Sequence, residues 1–427
     1  MKNYDLMSIT FKGVHRKMPQ EKKKAYRKRP LHHIIYQLIG RPVAKLLVKK
    51  YHFKVENTPP KEVFQKPFII LSNHVSQLDK NFMIAALPHQ AYFVATEDIF
   101  CKGTLSRIVR TAFDPIPLFK PDLSTAPVRS ILKRIRGGDS IIMYPEGHHS
   151  PDGLTTDIKN SVGALIKAAR CQLITFRMIN GFFMAPRWCS TYRIGPVRGE
   201  YVGVYSPEEL AKMSAEEITA LICRDLHEDA YARQKAEGPV TFQSDRRAEQ
   251  LEVHYYICPI CGAHSQLHSH GNTFHCEACG NHAEVDEYYH IRAVEGSKDF
   301  PFDNFTDWAD WQRVRENEFI TSLDRTQTVY RDTNLHLIEY RIDEAKTLQI
   351  ADTDATASFE GFTVEALNLT VSWNDLPWFN FNQGGRGFQF VFEGHHYELW
   401  GETFCAARYG NLYFRSRSED GSLNMRY

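Results

Sequence analysis

Short, largely apolar runs that alternate with a helix-like stretch constrain the fold of this chain more than any other feature. Four such runs occur in its first half: PFIIL (67–71), AYFVA (91–95), SIIMY (140–144) and QLITF (172–176). Buried parallel strands are continuous apolar runs of about this length. A helix with one core-facing side is predicted by the i, i+3, i+4, i+7 spacing of Val128, Ile131, Leu132 and Ile135. This alternation predicts an α/β domain over residues 55–235.

The first apolar run is followed at once by a histidine and an aspartate, in SNHVSQLD (72–79). His74 and Asp79 would point about 140° apart on a regular helix, so they can meet only in a loop that leads into a helix. Ser72 and Asn73 are good N-cap residues for such a helix start. An aspartate bonded to one ring nitrogen would fix the tautomer and leave the other nitrogen as a general base. For this motif alone, a capping histidine and a solvated aspartate is the alternative.

The third apolar run ends in a similar way, in YPEGHHS (144–150). Glu146 offers a carboxylate, and the glycine that follows it, Gly147, offers a free backbone N–H group. An ordinary turn is the alternative, since Pro-x-Gly is good turn chemistry. Strand ends of this kind are where α/β proteins place their ligand sites.

Together, NHVSQLD (73–79) and YPEGHHS (144–150) resemble the motifs of the glycerolipid acyltransferases, which acylate lysophosphatidic acid, and the resemblance covers about residues 55–235. It implies that a fatty acyl group passes from acyl-CoA or acyl-carrier protein to the hydroxyl of a lysophospholipid, above all 1-acylglycerol 3-phosphate, giving phosphatidic acid. His74 would then take the proton of the acceptor hydroxyl while Asp79 orients it. Asn73, Glu146 and Gly147 lie in the motifs that bind substrate.

Two departures from the family's motifs bear on the acceptor's headgroup. His148 and His149 stand where the family has Thr-Arg, and Lys120 stands in PIPLFK (115–120) where the family has an arginine. A phosphate needs cations, and a lysine supplies a point charge without the fork of a guanidinium. Arg187, in MAPRW (184–188), is a further candidate. These four residues are therefore predicted to bind the substrate, and a different lysolipid headgroup remains open.

Four of the nine cysteines form two CxxC pairs that are separated by 14 residues: Cys258, Cys261, Cys276 and Cys279. A glycine follows each pair and lets the backbone turn beneath the sulfur atoms. The pattern resembles a zinc ribbon over residues 253–285. Such a zinc would be structural, because four protein ligands leave no open position. Disulfides are the alternative, which an intracellular location disfavours.

A helix followed by a mostly-β domain is predicted for residues 300–427, and residues 236–252 are predicted to be a linker. The stretch GFQFVFEGHHYELWG (387–401) alternates apolar and polar residues on either side of Glu393-Gly394, which predicts a hairpin. The β domain is expected to be a barrel or a sandwich, with a PH-like fold among the options.

The N-terminal segment, residues 1–54, contains 15 Lys and Arg against 2 Asp and Glu, which favours contact with phosphates. Within it, residues 30–50 predict a basic amphipathic helix that Pro42 breaks or kinks. Such a helix can lie in a membrane interface or pack on the domain, and both options are open. Because no run approaches about 20 apolar residues and no leader peptide is visible, we expect a cytoplasmic protein, peripheral on the inner face of a membrane.

Two functions therefore compete. The leading hypothesis is a membrane-associated acyltransferase with a structural zinc ion. The alternative is a catalytically inactive zinc-ribbon protein that engages nucleic acid or membrane through its basic N-terminal arm. The ribbon has few lysines or arginines between its cysteines, which disfavours nucleic acid.

Overall fold

The computed structural model describes residues 30–416, apart from residues 102, 119–125, 190, 325–326, 342–343, 345 and 383. The helices in this part of the chain are α1 (Pro30–Ile35), α2 (Arg41–Lys49), α3 (Asp79–Ala86), α4 (Thr104–Phe113), α5 (Ala126–Arg136), α6 (Ser161–Ala169), α7 (Gly181–Met184), α8 (Pro207–Ala211), α9 (Ala215–Leu226), α10 (Ala230–Glu237), α11 (Phe305–Ser322) and α12 (Ala406–Ser416).

The strands form three separate sheets. The first contains β1 (Lys54–Glu56), β2 (Phe68–Ser72), β3 (Tyr92–Thr96), β4 (Ile116–Leu118), β5 (Ile141–Met143), β6 (Gln172–Ile179) and β7 (Arg198–Tyr205). The second contains β8 (Leu267–His270), β9 (Thr273–Cys276), β10 (His282–Val285) and β11 (Ile291–Ala293). The third contains β12 (Thr328–Arg341), β13 (Lys346–Ser358), β14 (Gly361–Val364), β15 (Leu369–Ser372), β16 (Phe379–Phe381), β17 (Gly387–Phe392) and β18 (His395–Trp400).

The first sheet confirms the predicted α/β domain. Its order is β1-β7-β6-β2-β5-β3-β4, and the strands are parallel except for the β6–β7 pair. The four apolar runs supply β2, β3, β5 and β6, and all five residues of β2 are buried. Since β2 lies between β5 and β6, the carboxyl ends of these three strands meet at one edge of the sheet.

Successive side chains of β2 face opposite sides of the sheet and enter two different cores. Ile69 and Leu71 pack with residues of α5, α6 and α9. Phe68 and Ile70 pack on the other side, in the core that also contains residues of α3. Helix α6 approaches α9 closely, because a Cβ at Gly163 would lie 2.0 Å from the Ala215 carbonyl oxygen.

The second core continues into the cysteine-bearing module. It contains Trp188 of the first domain, Tyr255 just before the first cysteine, and Trp308 of α11. The predicted linker, residues 236–252, is therefore packed rather than free, and Phe242, Ala248 and Leu251 within it are fully buried. The first domain, the four-stranded antiparallel sheet and α11 are thus joined by one hydrophobic core.

The third sheet is antiparallel and has the order β15-β14-β13-β12-β18-β17-β16. It is one continuous sheet that curls as a half-barrel around its core, with α12 packed against it, rather than the two facing sheets of a sandwich. The predicted hairpin is confirmed as β17 and β18, whose turn places Glu393 and Gly394 at φ of 48° and 80°. The PH-like comparison stays a prediction.

At the N-terminal end of the described chain, the predicted basic amphipathic helix is helical almost throughout. A π-helical turn, Tyr36–Gly40, joins α1 to α2, and Pro42 lies in the first turn of α2. Proline lacks an N–H group, so an irregular turn directly before it agrees with the predicted kink. Residues 1–29 lie outside the described residues.

Candidate active site

The candidate site lies where the carboxyl ends of β2 and β5 meet. His74 follows β2, and Tyr144 and Glu146 follow β5. The Ser150 N–H donates to the His74 carbonyl oxygen at 2.7 Å, which ties the two loops together. The sheet order therefore places the two sequence motifs side by side.

The His74–Asp79 pair forms as predicted, in a loop that leads into α3. Nδ1 of His74 lies 2.7 Å from Oδ2 of Asp79, which is fully buried, whereas the His74 side chain is 20% exposed. The carboxylate also accepts from the N–H groups of Val75 (2.8 Å) and Ser76 (3.1 Å) and from the Ser76 hydroxyl (2.7 Å). These donors fix the carboxylate, which in turn orients the imidazole.

This arrangement assigns the tautomer of His74. With a proton on Nδ1 donated to Asp79, Nε2 carries a lone pair. Within the described part of the chain, Nε2 has no hydrogen-bond partner. The ring therefore presents a basic nitrogen on its exposed side.

The predicted helix caps were wrong. Helix α3 begins at Asp79 with Leu78 at the N-cap, and Ser72 belongs to β2. The Asn73 amide instead bonds to the backbone of Met178, accepting from its N–H at 2.7 Å and donating to its carbonyl at 3.0 Å. Asn73 thus fastens the end of β2 to β6, because both polar atoms of its buried side chain are taken up there.

Glu146 lies beside His74 and holds the loop that carries it. One carboxylate oxygen accepts from the His74 backbone N–H at 2.6 Å, and the other accepts from the N–H and hydroxyl of Thr156, both at 2.7 Å. The side chain is 7% exposed. Burial, which these hydrogen bonds offset only in part, raises the pKa of Glu146 to about 7.

Two aromatic side chains from the second motif enclose the His74 ring. Tyr144 stacks on it with centroids 4.2 Å apart and an angle of 13°, and His149 meets it edge-on at 4.1 Å and 76°. Burial first, then the nearby cationic side chains, including His74 and Arg187, lower the pKa of His149 well below its usual range. His149 is therefore neutral near pH 7 and adds no positive charge for a phosphate.

Arg187 is one cation that the structure brings close to this site. Its guanidinium donates to the His149 carbonyl oxygen at 3.4 Å and lies 4.6 Å from the ring centroid of Phe381. Burial lowers the pKa of Arg187 to about 10, so it stays charged at neutral pH. Among the residues described, no carboxylate lies within salt-bridge distance of it.

The remaining predicted substrate-binding residues are Gly147, His148 and Lys120. Gly147 has a φ of 77°, which a turn here requires, and its N–H donates to the Tyr144 carbonyl at 3.2 Å and so is not free. His148 is partly buried, with Nδ1 3.5 Å from the His149 carbonyl oxygen. Lys120 lies outside the described residues.

The four cysteines of the ribbon come together in a separate cluster. Their sulfur atoms lie within 4.8 Å of one another, with 3.9 Å between Cys258 and Cys279 and 3.8 Å between Cys261 and Cys276. Four thiolates about 2.3 Å from a tetrahedral zinc ion are roughly 3.8 Å apart. The cluster can therefore hold a metal ion.

Comparison with known proteins agrees with the geometry of the two motifs. Residues 51–179 match the model of the Acyltransferase family. This segment of the chain is therefore similar to that family. The match spans both motifs and ends before Arg187, so it includes His74, Asp79 and the PEG turn but not the arginine.

Among solved structures, the 1-acyl-sn-glycerophosphate (LPA) acyltransferase PlsC from Thermotoga maritima is similar to this chain. The two are 18% identical, the alignment covers 48% of this chain and 79% of that one, and the TM-score is 0.39. No curated protein sequence matches the chain.

Sequence reasoning missed three residues around the candidate site. Tyr144 belongs to the second motif but was assigned no role, Thr156 was not considered, and Phe381 lies in another domain. The roles of these residues depend on which elements lie beside each other. Pairing of β2 with β5 explains Tyr144, whereas no local pattern points to Phe381.

Proposed function

We propose that the protein transfers a fatty acyl group from the thioester of acyl-CoA or acyl-carrier protein to the hydroxyl of a lysophospholipid, 1-acylglycerol 3-phosphate above all. The product would be phosphatidic acid. The observation that carries the proposal is the His74–Asp79 pair at 2.7 Å, with Nε2 left as an exposed basic nitrogen. The match of this segment to the acyltransferase family supports the same reaction class.

In the proposed reaction, Nε2 of His74 removes the proton of the acceptor hydroxyl as its oxygen attacks the thioester carbonyl. Asp79 stabilises the imidazolium that forms. When the tetrahedral intermediate collapses, the carbon–sulfur bond breaks and the imidazolium returns the proton to the leaving thiolate. A positioned base contributes roughly 10²- to 10⁴-fold to the rate, and no acyl-enzyme is needed because the alcohol is the nucleophile.

The other predicted residues divide between binding and positioning. Arg187 is the proposed ligand of the acceptor's phosphate, since a half-buried guanidinium without a carboxylate partner attracts an anion. Lys120 and His148 stay proposed contacts of the same headgroup. Asn73, Glu146 and Gly147 are proposed to act by shaping the loops, because their polar groups bond to the protein itself.

The N-terminal helices are proposed to rest on an anionic membrane surface, from which amphiphilic substrates would enter. Six large apolar side chains between residues 34 and 47 are exposed, Leu38 and Leu46 to 72% each: Ile34, Leu38, Ile39, Val43, Leu46 and Leu47. The same segment carries lysines and arginines, which favours interfacial binding. No helix in the described residues combines the length and apolar character needed to cross a bilayer.

The cysteine cluster is proposed to bind a structural Zn²⁺ ion. Its sulfur–sulfur distances fit a tetrahedral site, and four thiolates leave no open position for chemistry. Gly262 and Gly280 have φ of 75° and 70° and donate to the carbonyls of Cys258 and Cys276, both at 2.8 Å. These turns direct the sulfurs inward.

The proposed function is tested by incubating purified protein with labelled acyl-CoA or acyl-carrier protein and a panel of lysolipids that differ in headgroup. We expect labelled phosphatidic acid from the wild type and from His227→Ala, an exposed histidine of the same domain, but a loss of at least 100-fold in His74→Ala. Equal activity in both variants would refute the role of His74. Salt-sensitive binding of nucleic acid without any transfer would favour the binding-protein alternative.

A further inference from the structure

We propose that the C-terminal β domain completes the acceptor site of the acyltransferase, with Phe381 as the residue that positions Arg187. This inference rests on the proposed function. It makes the half-barrel and the ribbon part of the binding site for a phosphomonoester, rather than independent appendages.

The first argument is the set of groups that surround the Arg187 guanidinium. Among the described residues, the acyltransferase domain contributes the His149 carbonyl oxygen, at a long 3.4 Å, and the β domain contributes the face of Phe381 at 4.6 Å. His254, at the start of the ribbon, also lies nearby. Burial, together with Arg187 and Arg313, lowers the pKa of His254 to about 3, so this histidine is neutral and leaves the charge of Arg187 uncompensated.

Since few groups among the described residues contact the Arg187 guanidinium, its position depends on the packing around it and on the ring of Phe381 beneath it. The face of an aromatic ring attracts a guanidinium and orients its plane, and it leaves the N–H groups at the edge available. A phosphate oxygen can then accept from those N–H groups. In contrast, a carboxylate at the same place would occupy them, as Glu228 occupies the guanidinium of Arg233.

The second argument is that the side chain of Phe381 is closely packed on the sides that do not contact Arg187. It ends β16 and packs over Gly410 of α12, where a Cβ would lie 2.3 Å from its ring. On the ribbon side it packs against Tyr256 and Ile257, which are fully buried. The ring is therefore fixed by the β domain and the ribbon together, so it can hold the arginine in one place.

The third argument is the way the β domain is attached. The Cys405 sulfhydryl donates to the Val253 carbonyl at 3.1 Å, and the Asn411 amide donates to the Tyr256 hydroxyl at 2.7 Å. Helix α11 is in turn tied to the acyltransferase domain by the Thr306 hydroxyl, which donates to the Asp152 carbonyl at 2.8 Å. Buried hydrogen bonds at both interfaces therefore fix the position of Phe381 relative to Arg187.

The experiment compares Phe381→Met, which keeps most of the volume but removes the ring, with Phe381→Tyr, which keeps the ring. Phe392→Met, a partly buried phenylalanine of the same sheet, is the matched control. We expect Phe381→Met to raise the KM for the phosphate-bearing acceptor by roughly 3- to 30-fold while kcat and the KM for the acyl donor stay within twofold. Phe381→Tyr and Phe392→Met should match the wild type.

Three further measurements separate positioning from a merely structural role. With monoacylglycerol, which lacks the phosphate, Phe381→Met should have no effect on KM. In an Arg187→Gln background, Phe381→Met should add less than twofold. Thermal unfolding of each full-length variant checks that the fold is kept.

Binding of glycerol 3-phosphate, measured by calorimetry, gives a readout that does not depend on catalysis. If the wild type transfers no acyl group, the proposed function fails, but weaker binding of this anion to Phe381→Met than to Phe381→Tyr would still support the positioning role. Equal binding by both variants, or equal effects of Phe381→Met on the phosphate-bearing and phosphate-free acceptors, would overturn it.

Discussion

Replacing Asp79 by asparagine tests the central pair of the proposed mechanism with the smallest change of shape. The carboxylate is fully buried and accepts from four donors: His74 Nδ1, the Val75 and Ser76 N–H groups, and the Ser76 hydroxyl. An amide of the same size has one oxygen. If its nitrogen takes the place of Oδ1, the hydroxyl of Ser76 can turn to accept, and His74 keeps its partner but loses the negative charge.

The size of the effect follows from this geometry. The opposite amide orientation would direct N–H groups at His74 Nδ1 and at the Val75 N–H, leaving a buried donor unsatisfied at about 1–3 kcal/mol, so the first orientation should prevail. The fold should therefore survive. The imidazolium is no longer stabilised by an anion, and kcat should fall by as much as the general base contributes, roughly 10²- to 10⁴-fold, with little change in either KM.

The assay is steady-state formation of labelled phosphatidic acid at saturating concentrations of both substrates. Asp225→Asn is the matched control, because Asp225 is also a buried aspartate that accepts from hydroxyl groups, those of Thr175 and Tyr205, but lies away from His74. It should lose stability without a comparable loss of kcat. A folded Asp79→Asn protein with kcat within threefold of the wild type would refute the proposed role of the pair.

Three further predictions concern pH, metal and membrane. The pKa of Glu146 is raised to about 7, so between about pH 4.5 and pH 7 the folded state holds a proton that the unfolded state has released. As the pH rises through this range, the free energy of unfolding of the wild type should therefore fall relative to that of Glu146→Gln. Urea unfolding curves that change in parallel for the two proteins across this range would contradict the prediction. Chelation of the proposed zinc ion, or Cys261→Ser, should lower the melting temperature of the ribbon and of the acyltransferase domain together, because they share a core. Calorimetry that shows the acyltransferase transition unchanged would contradict this. Leu38→Asp and Leu46→Asp should each weaken sedimentation with anionic vesicles about tenfold or more, since each removes a largely exposed leucine from the basic N-terminal segment. Leu367→Asp, which replaces an exposed leucine of the β domain, should not weaken it. Equal binding by all three variants would reject the proposed membrane surface.

The parts of the site that could be predicted from sequence are those whose chemistry and neighbours are local. His74 and Asp79 are close along the chain, and the strand before them made a loop the only place for them to meet. Asn73 and Gly147 were assigned to substrate binding from the motifs alone. Their polar groups instead bond to Met178 and Tyr144, a choice that depends on backbone conformation, which a motif does not encode.

The features of the fold that could be predicted from sequence are likewise those that depend on neighbours close along the chain. The period of apolar residues predicted the α/β domain and the β17–β18 hairpin, because each depends on neighbours a few positions away. The composition of residues 236–252 suggested a linker, but Phe242 and Leu251 in it are buried in a core that three parts of the chain build together. A free linker and a segment that packs against other parts of the chain can have the same composition, with polar residues around a few apolar ones.

Arg187 shows most clearly why position in the fold decides chemistry. Arginines are usually paired where they are buried, and sequence alone ranks this one no higher than the nearby Arg193, which is also buried and stacks over Tyr289 at 4.8 Å. The two arginines differ in their neighbours. Arg193 donates to the Arg247 carbonyl oxygen at 2.8 Å, whereas Arg187 lies beside His149, whose ring contacts that of His74. An anion bound to Arg187 would therefore lie near His74, the proposed general base. Under the proposed function, this proximity and the ring of Phe381 beneath the guanidinium would make the choice of headgroup depend on the β domain as well as on the two motifs.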